Sequence, residues 1–300
     1  MVSAIDSRST NNITRDVLDL PSFGGTAAVH RAGDPAAPPV LLLHGAAPGA
    51  GGLSNWRNTL NSLSDRYHCL APDFIGFADS WHPADPPKTM VQWNRLRVQQ
   101  VLEILDRYGI AEAYLVGSSM GAAVALQLLS EAPERFDRAA LLAAAGIDLP
   151  VTRELQRVME FYLDPSPSTL AAMYRSFVYD PASIPFDVDE LAATNYSIAI
   201  RPDVRRSFEA QFASGPPVTV TDSALRRITH PTLVVHGLQD AVVPVDAALH
   251  LGAVLSDVRV HLFGHCGHWI PVEHPDDLHA LLGDFLGSGR LDTSARKGTR

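Results

Sequence analysis

Five residues, Gly117-Ser118-Ser119-Met120-Gly121, carry the sharpest chemical signal in the sequence. They follow a short apolar run, Tyr114–Val116, and open a stretch of helix formers, Gly121–Glu131. A strand that reverses into a helix within so few residues needs positions without side chains, and Gly117 and Gly121 supply them. Such a turn lifts the Ser119 hydroxyl above a sheet, at a helix N-terminus whose amides favour incoming negative charge. A serine hydroxyl is a weak nucleophile until a base takes its proton. Two candidates follow in order. Asp240, in His236-Gly237-Leu238-Gln239-Asp240, comes after the apolar run Thr232–Val235. His268, in Gly264-His265-Cys266-Gly267-His268-Trp269, comes after Val258–Phe263. Each sits where a strand would end, at the same edge as Ser119. The expected roles are Ser119 as nucleophile, His268 as base and then acid, and Asp240 as the group that orients the imidazole and stabilises its charged form.

Rival residues lie nearby. His265 precedes His268 by three positions and Asp246 follows Asp240 closely. The small Gly267 and the helix start beyond it favour His268, and His265 is read as structural. A metal site at His261, His265 and His268 is disfavoured, because that spacing crosses a strand-to-loop junction and brings no ordered carboxylates. No metal or organic cofactor is therefore expected. An attacked carbonyl also needs donors for its oxyanion. Met120 offers one backbone N–H, and the loop His44–Gly52, rich in small residues, offers a second at Ala46. That loop lacks the Lys-Ser/Thr that a phosphate-cradling loop requires.

These residues need a frame. Val40–Leu43, Cys69–Ala71, Tyr114–Val116, Ala140–Ala143, Thr232–Val235 and Val258–Phe263 read as strands, several apolar at consecutive positions as in strands buried on both faces. Ser54–Leu63, Val91–Tyr108, Gly121–Glu131, Asp246–Leu255 and Pro275–Leu286 read as helices. In the second helix, Val91, Leu96, Val98, Val101, Leu102 and Leu105 form an apolar stripe. The alternation predicts an α/β fold, a mostly parallel central sheet flanked by helices. Residues 13–31 turn at Gly24-Gly25 and predict an antiparallel hairpin at the sheet edge. From about 148 to 222 the rhythm changes to aromatic, helical and proline-punctuated sequence. That predicts a helical lid over the strand ends where α/β sheets bind ligands, and an apolar chamber beneath it. The expected domains are a core of 13–147 and 223–288, a lid of 148–222, and loose tails at 1–12 and 289–300.

The composition narrows the partners. Twenty-four Lys and Arg against 33 Asp and Glu leave a net charge of -9 over 300 residues. An acidic body repels phosphate backbones and anionic lipid, which argues against nucleic acid and membrane surfaces. The longest clean apolar run, Ala139–Ala145, is far short of the ~20 residues that span a bilayer. The opening MVSAIDSRST shows no basic segment followed by an apolar stretch, so a cytoplasmic location is expected. Cys69 and Cys266 do not make a disulfide framework in a chain this long. The expected partner is a small apolar carbonyl compound; a homo-oligomer is compatible with the sequence.

Taken together, the span from Arg15 to Phe285 resembles the α/β-hydrolase superfamily, including its chain order of Ser, Asp and His. Three runs are more particular: His44-Gly45-x-x-Pro48-Gly49-Ala50-Gly51-Gly52-x-Ser54-Asn55, the turn at Ser119, and Cys266-Gly267-His268-Trp269. They resemble the meta-cleavage product hydrolases, which hydrolyse a carbon–carbon bond in vinylogous 1,5-diketones formed by aromatic ring cleavage. Phe177 resembles a lid phenylalanine of that family. The resemblance implies a pocket at Gly45, Asn55, Ser118, Phe177 and Trp269, with Ala46 and Met120 forming the oxyanion hole.

Two departures stand out. Ser118 precedes the nucleophile where the family usually has asparagine, and no arginine stands near Thr194-Asn195, where the family carries a lid arginine. Arg175 is expected to point away from the chamber, and Arg201, before Pro202, to be a loop residue. The expectation is a pocket lined by Phe177, Trp269, Asn55 and neutral lid residues, with no arginine within hydrogen-bond reach of Ser119. Three readings follow, in order: a C–C bond hydrolase acting on a ketone, a carboxylesterase or lactonase, and a cyclase or binding protein that performs no hydrolysis.

Overall fold

The computed structural model describes residues 13–213, 215 and 218–288. The expected tails at 1–12 and 289–300 lie outside the described residues. Eight strands form one sheet: β1 (Thr14–Leu20), β2 (Gly25–Ala32), β3 (Pro39–Leu43), β4 (His68–Pro72), β5 (Ala113–Ser118), β6 (Phe136–Leu142), β7 (Thr232–Gly237) and β8 (Val258–Phe263). Their spatial order is β1-β2-β4-β3-β5-β6-β7-β8. β1 pairs antiparallel with β2, and β2 with β4; every other pairing is parallel. The hairpin expected over 13–31 is therefore present at the edge, turning through Gly24 at φ +64°.

The chain leaves β3 for β4 on one side and returns to β5 on the other. This reversal opens a crevice at the carboxyl ends of β3 and β5, where open α/β sheets bind ligands. The all-apolar Val40–Leu43 run explains why β3 is central: Val40 and Leu42 pack on one face of the sheet, Leu41 and Leu43 on the other. Helices α1 (Gly52–Leu63) and α11 (Pro275–Gly287) cover the first face. Helices α2 (Met90–Arg107), α3 (Met120–Glu131) and α9 (Asp246–Val254) cover the second.

Between β6 and β7 the described residues hold no strand. They form α4 (Arg153–Met159), α5 (Pro167–Ser176), α6 (Val188–Ala199), α7 (Pro202–Phe212) and α8 (Asp222–Leu225). Turn and cap residues set these boundaries. Ser166 caps α5 through the Thr169 N–H, Asp187 caps α6 through Asp189 and Glu190, and Pro202 opens α7. The short α10 (Ile270–Glu273) lies just before α11.

The sequence-predicted stripe on α2 needs correction. Val91 is exposed, whereas Asn94, Arg97 and Gln100 are buried alongside Trp93, Val98, Val101, Ile104 and Leu105. Polar residues hold part of this buried face because loop backbones lie against it: Gln100 accepts the Ile75 N–H and donates to the Asp73 carbonyl. No helix among the described residues is long and apolar enough to cross a membrane.

Candidate active site

Ser119 stands between β5 and α3 with φ 53° and ψ -117°, a left-handed conformation that a non-glycine residue adopts only under constraint. The constraint comes from both sides. The Ser119 N–H bonds the Leu142 carbonyl at 2.9 Å, and the Ser119 carbonyl accepts from Ala122 and Ala145. A Cβ at Gly121 would lie 2.2 Å from the Leu43 carbonyl oxygen, so only glycine lets α3 start this close to β3. The turn presents Ser119 to a chamber that Ala46, Asn55, Met120, His268 and Trp269 also line.

The histidine and aspartate meet as the sequence suggests. His268 Nδ1 lies 2.7 Å from Asp240 Oδ2. Asp240 Oδ1 accepts the N–H groups of Val242 and Val243 at 2.8 and 2.9 Å. Burial alone would raise its pKa. Electrostatic interaction with the His268 ring and hydrogen bonds from His236 and His268 outweigh that and hold the carboxyl well below the usual range. An ionised carboxylate only accepts, so His268 carries its proton on Nδ1 and leaves the Nε2 lone pair free for a proton transfer. The rivals fall elsewhere: Asp246 is exposed at the start of α9, and His265 is exposed and stacks on Tyr179 with ring centroids 5.2 Å apart.

The loop after β3 is held from beneath. Buried His44 accepts the Phe74 N–H on Nε2 at 2.9 Å, so its Nδ1 donates to the Gly45 carbonyl at 2.8 Å. Burial pushes its pKa down to about 4 and keeps it neutral. The Gly45 N–H is directed to Asn55 Oδ1 at 3.3 Å. Gly45 packs so closely on Ser119 that a Cβ there would be 3.2 Å from Ser119 Cβ. Gly45, Ala46, Asn55, Ser118 and Met120 all line the chamber.

Phe177 and Trp269 close it from the helical side. The Phe177 ring lies 5.8 Å from the His268 ring and 6.2 Å from Trp269, and Tyr174 packs on Trp269 at 5.4 Å. Val242 and Val243, which follow Asp240, complete the apolar wall. Among the described residues, the helices between β6 and β7 contribute no cation to the chamber. Arg175 pairs with Asp189 at the surface, and Arg201 pairs with Asp79 and Asp203. Asn195, on α6, donates to the Tyr174 hydroxyl at 2.8 Å.

One cation does line the chamber, at Arg97, a residue not singled out from the sequence. This residue comes from α2, not from the helices between β6 and β7, and lines the chamber together with Asn94 and Gln211. Sequence reasoning passed over it because an arginine on an amphipathic helix normally faces water. The available signal was its spacing: Trp93, Arg97 and Val101 succeed one another on one helix face.

A serine at a strained strand-to-helix turn, with an aspartate-held histidine from later strand ends, defines an α/β hydrolase. Comparison with known proteins agrees: the family described as "alpha/beta hydrolase fold" matches residues 38–275, and the chain belongs to it. The 2-hydroxymuconate semialdehyde hydrolase of Pseudomonas sp. (strain CF600) is 35% identical over 254 residues, covering 83% of this chain and 86% of that protein. The solved 2-hydroxy-6-oxo-6-phenylhexa-2,4-dienoate hydrolase from Rhodococcus sp. strain RHA1 superposes with a TM-score of 0.87 at 36% identity, over 92% of this chain and 100% of that one. A meta-cleavage product hydrolase from Pseudomonas fluorescens IP01 gives a TM-score of 0.82 at 30% identity, over 92% of this chain and 98% of that one. Within the α/β hydrolases the chain thus belongs with the meta-cleavage product hydrolases, serine-type enzymes that cleave carbon–carbon bonds.

Proposed function

We propose that the chain hydrolyses the C–C bond beside the ketone of a 2-hydroxy-6-oxo-dienoate, giving a carboxylic acid and a hydroxydienoate. Ser119 Oγ attacks the ketone carbon while His268 Nε2 takes its proton. The oxyanion rests on the N–H groups of Ala46 and Met120. As the tetrahedral intermediate collapses, the C–C bond breaks. With the substrate in its keto form, the proton of its 2-hydroxyl having moved to C5, the electron pair of the broken bond passes through the enone to the oxygen on C2, which His268 protonates. Water, deprotonated by His268, then releases the acyl group from Ser119. Asp240 holds the imidazole and stabilises its cation in both halves.

The observation that carries this reading is the chamber shared by Ser119, His268 and the apolar groups Phe177 and Trp269. Gly45, Asn55 and Ser118 complete the proposed substrate contacts, and no cofactor takes part. We assign residues 148–222 as the lid and 13–147 with 223–288 as the core. The relatives are named for acting on semialdehydes and dienoates of this type.

The test is the bleaching of a yellow ring-cleavage product by wild type and by Ser119→Ala. Loss on the order of 10³-fold or more in the variant is expected. Fast turnover of short p-nitrophenyl esters, with no bleaching, would replace this reading with an esterase.

A further inference from the structure

Arg97 is fully buried, yet among the described residues no carboxylate pairs with it. Its Nη1 reaches only the Met120 sulfur, at 3.2 Å, and its Nη2 reaches the side-chain oxygen of Gln211. Its Nε is buried with no partner, and so is the side-chain nitrogen of Gln211. The guanidinium lies near the rings of Phe77 and Trp93, at 5.2 and 5.3 Å from their centroids. A guanidinium has five N–H donors and strong hydration to replace. Taking it out of water against neutral acceptors, one a weak thioether, leaves much of that cost uncompensated. Aromatic faces offset only part of it.

The residue is also placed where a ligand would find it. Arg97 lines the same chamber as Ser119, and it touches Met120, the residue directly after the proposed nucleophile. The cation is closed off from solvent behind the chamber wall, so a carboxylate would reach it as the Met120 side chain turns aside, and would find an unused donor with the free amide nitrogen of Gln211 beside it.

We propose that Arg97 is the anion anchor of the chamber and pairs with a carboxylate of the substrate. The proposal rests on the hydrolase reading for the identity of that substrate. Two positions could supply the group: the dienoate end, released as the hydroxydienoate, or an acid on the acyl side of the ketone. Both present the same chemistry to Arg97.

A binding measurement separates this proposal from the reaction itself. Titration calorimetry with benzoate and with benzamide uses an acid and its neutral analogue. Wild type should bind benzoate at least tenfold more tightly. Arg97→Met should remove that preference without lowering the melting temperature, because it replaces an unpaired buried charge by an apolar chain. Gln211→Glu provides a second route. It sets a carboxylate against Arg97 from within the protein, and should remove the preference while Arg97 stays in place. Equal binding of the two probes by wild type, or an unchanged preference in both variants, would overturn the proposal. Neither outcome depends on C–C hydrolysis.

Steady-state rates then locate the carboxylate. A ring-cleavage acid is compared with its methyl ester, and a substrate with an acyl-side acid is compared with its neutral counterpart. The pair whose ratio of kcat/KM falls at least tenfold in Arg97→Met, mainly through KM, identifies the group that Arg97 holds. If neither ratio moves, Arg97 does not bind substrate.

Discussion

The carbonyl oxygen of Phe177 accepts the backbone N–H of His268 at 2.7 Å, so the helical segment and the histidine loop share one hydrogen bond at the site. The Trp269 N–H reaches the same oxygen at 3.0 Å. Glu273 adds a second tie: its two carboxylate oxygens accept from Tyr179 N at 2.6 Å and Gly267 N at 2.7 Å. The position of the imidazole thus depends on the backbone of the segment that covers it, which couples the shape of the chamber to the geometry of His268, the proposed base.

That coupling is testable at Gly267. A Cβ there would lie 2.5 Å from the Phe177 carbonyl oxygen and 3.0 Å from Val178. Gly267→Ala must push the two segments apart. We expect about 1–3 kcal/mol of lost stability, typical of overpacking, and a kcat reduced tenfold or more as His268 shifts. Thermal melts and steady-state kinetics check both. Wild-type kcat in a folded Gly267→Ala variant would show that the contact does not position the base.

Two further glycines separate packing from chemistry. At Gly121 an added Cβ meets the Leu43 carbonyl oxygen at 2.2 Å, with backbone on each side and no room to yield. Gly121→Ala should fold poorly, read as low soluble yield or a strongly lowered melting temperature. At Gly45 the Cβ meets Ser119 Cβ at 3.2 Å and its hydroxyl oxygen at 3.8 Å. Gly45→Ala should melt near wild type and lose kcat, because the crowded group is the proposed nucleophile. The reverse pattern would place the sensitive contact at the wrong residue.

Asp240→Asn tests the charge on the group behind His268. The substitution keeps the shape but removes the acceptor that fixes the Nδ1 proton. A loss of about 10³–10⁴ in kcat is expected, as for the equivalent change in serine proteases. Burying the amide where two N–H groups now meet a carboxylate oxygen should also cost stability at neutral pH. A variant within tenfold of wild-type kcat would show that Asp240 is not needed to orient His268.

Much of this was legible in the sequence, and for physical reasons. Ser119 announces itself because a strand-to-helix reversal needs small residues at Gly117 and Gly121, a local requirement written in adjacent positions. Asp240 and His268 each follow an apolar strand run, so strand ends alone brought them to one edge. β6 was read from Ala140 but starts at Phe136, because Asp137 and Arg138 hide its first turn of pairing; Arg138 is tied to Asp137 and to the Phe285 carbonyl. Arg97 is harder to read for the opposite reason. Its partners Met120, Gln211 and Phe77 lie far away in the chain, and the one local sign that it turns inward is its place between Trp93 and Val101 on one helix face.

His44 gives a prediction in pH. Burial, only partly offset by its hydrogen bond to the Gly45 carbonyl, lowers its pKa from 6.5 to about 4. In the unfolded chain the imidazole takes a proton as pH falls through 6.5, while in the folded protein it stays neutral until about 4. The unfolded state therefore binds the extra proton in that window, and stability falls as pH is lowered through it, by ~3 kcal/mol in all. Asp240 does not contribute there. Its folded pKa is depressed, so its stabilisation persists above the unfolded value of about 3.9 and is lost only below it. His82 and His279, also lowered by burial, act in the same direction as His44, so the comparison must be with a variant. His44→Gln keeps an amide that can accept the Phe74 N–H and donate to Gly45 but cannot titrate. Urea unfolding from pH 7 to pH 4 should show wild type losing more stability than His44→Gln. Parallel curves for the two proteins would mean that the folded environment does not hold His44 neutral.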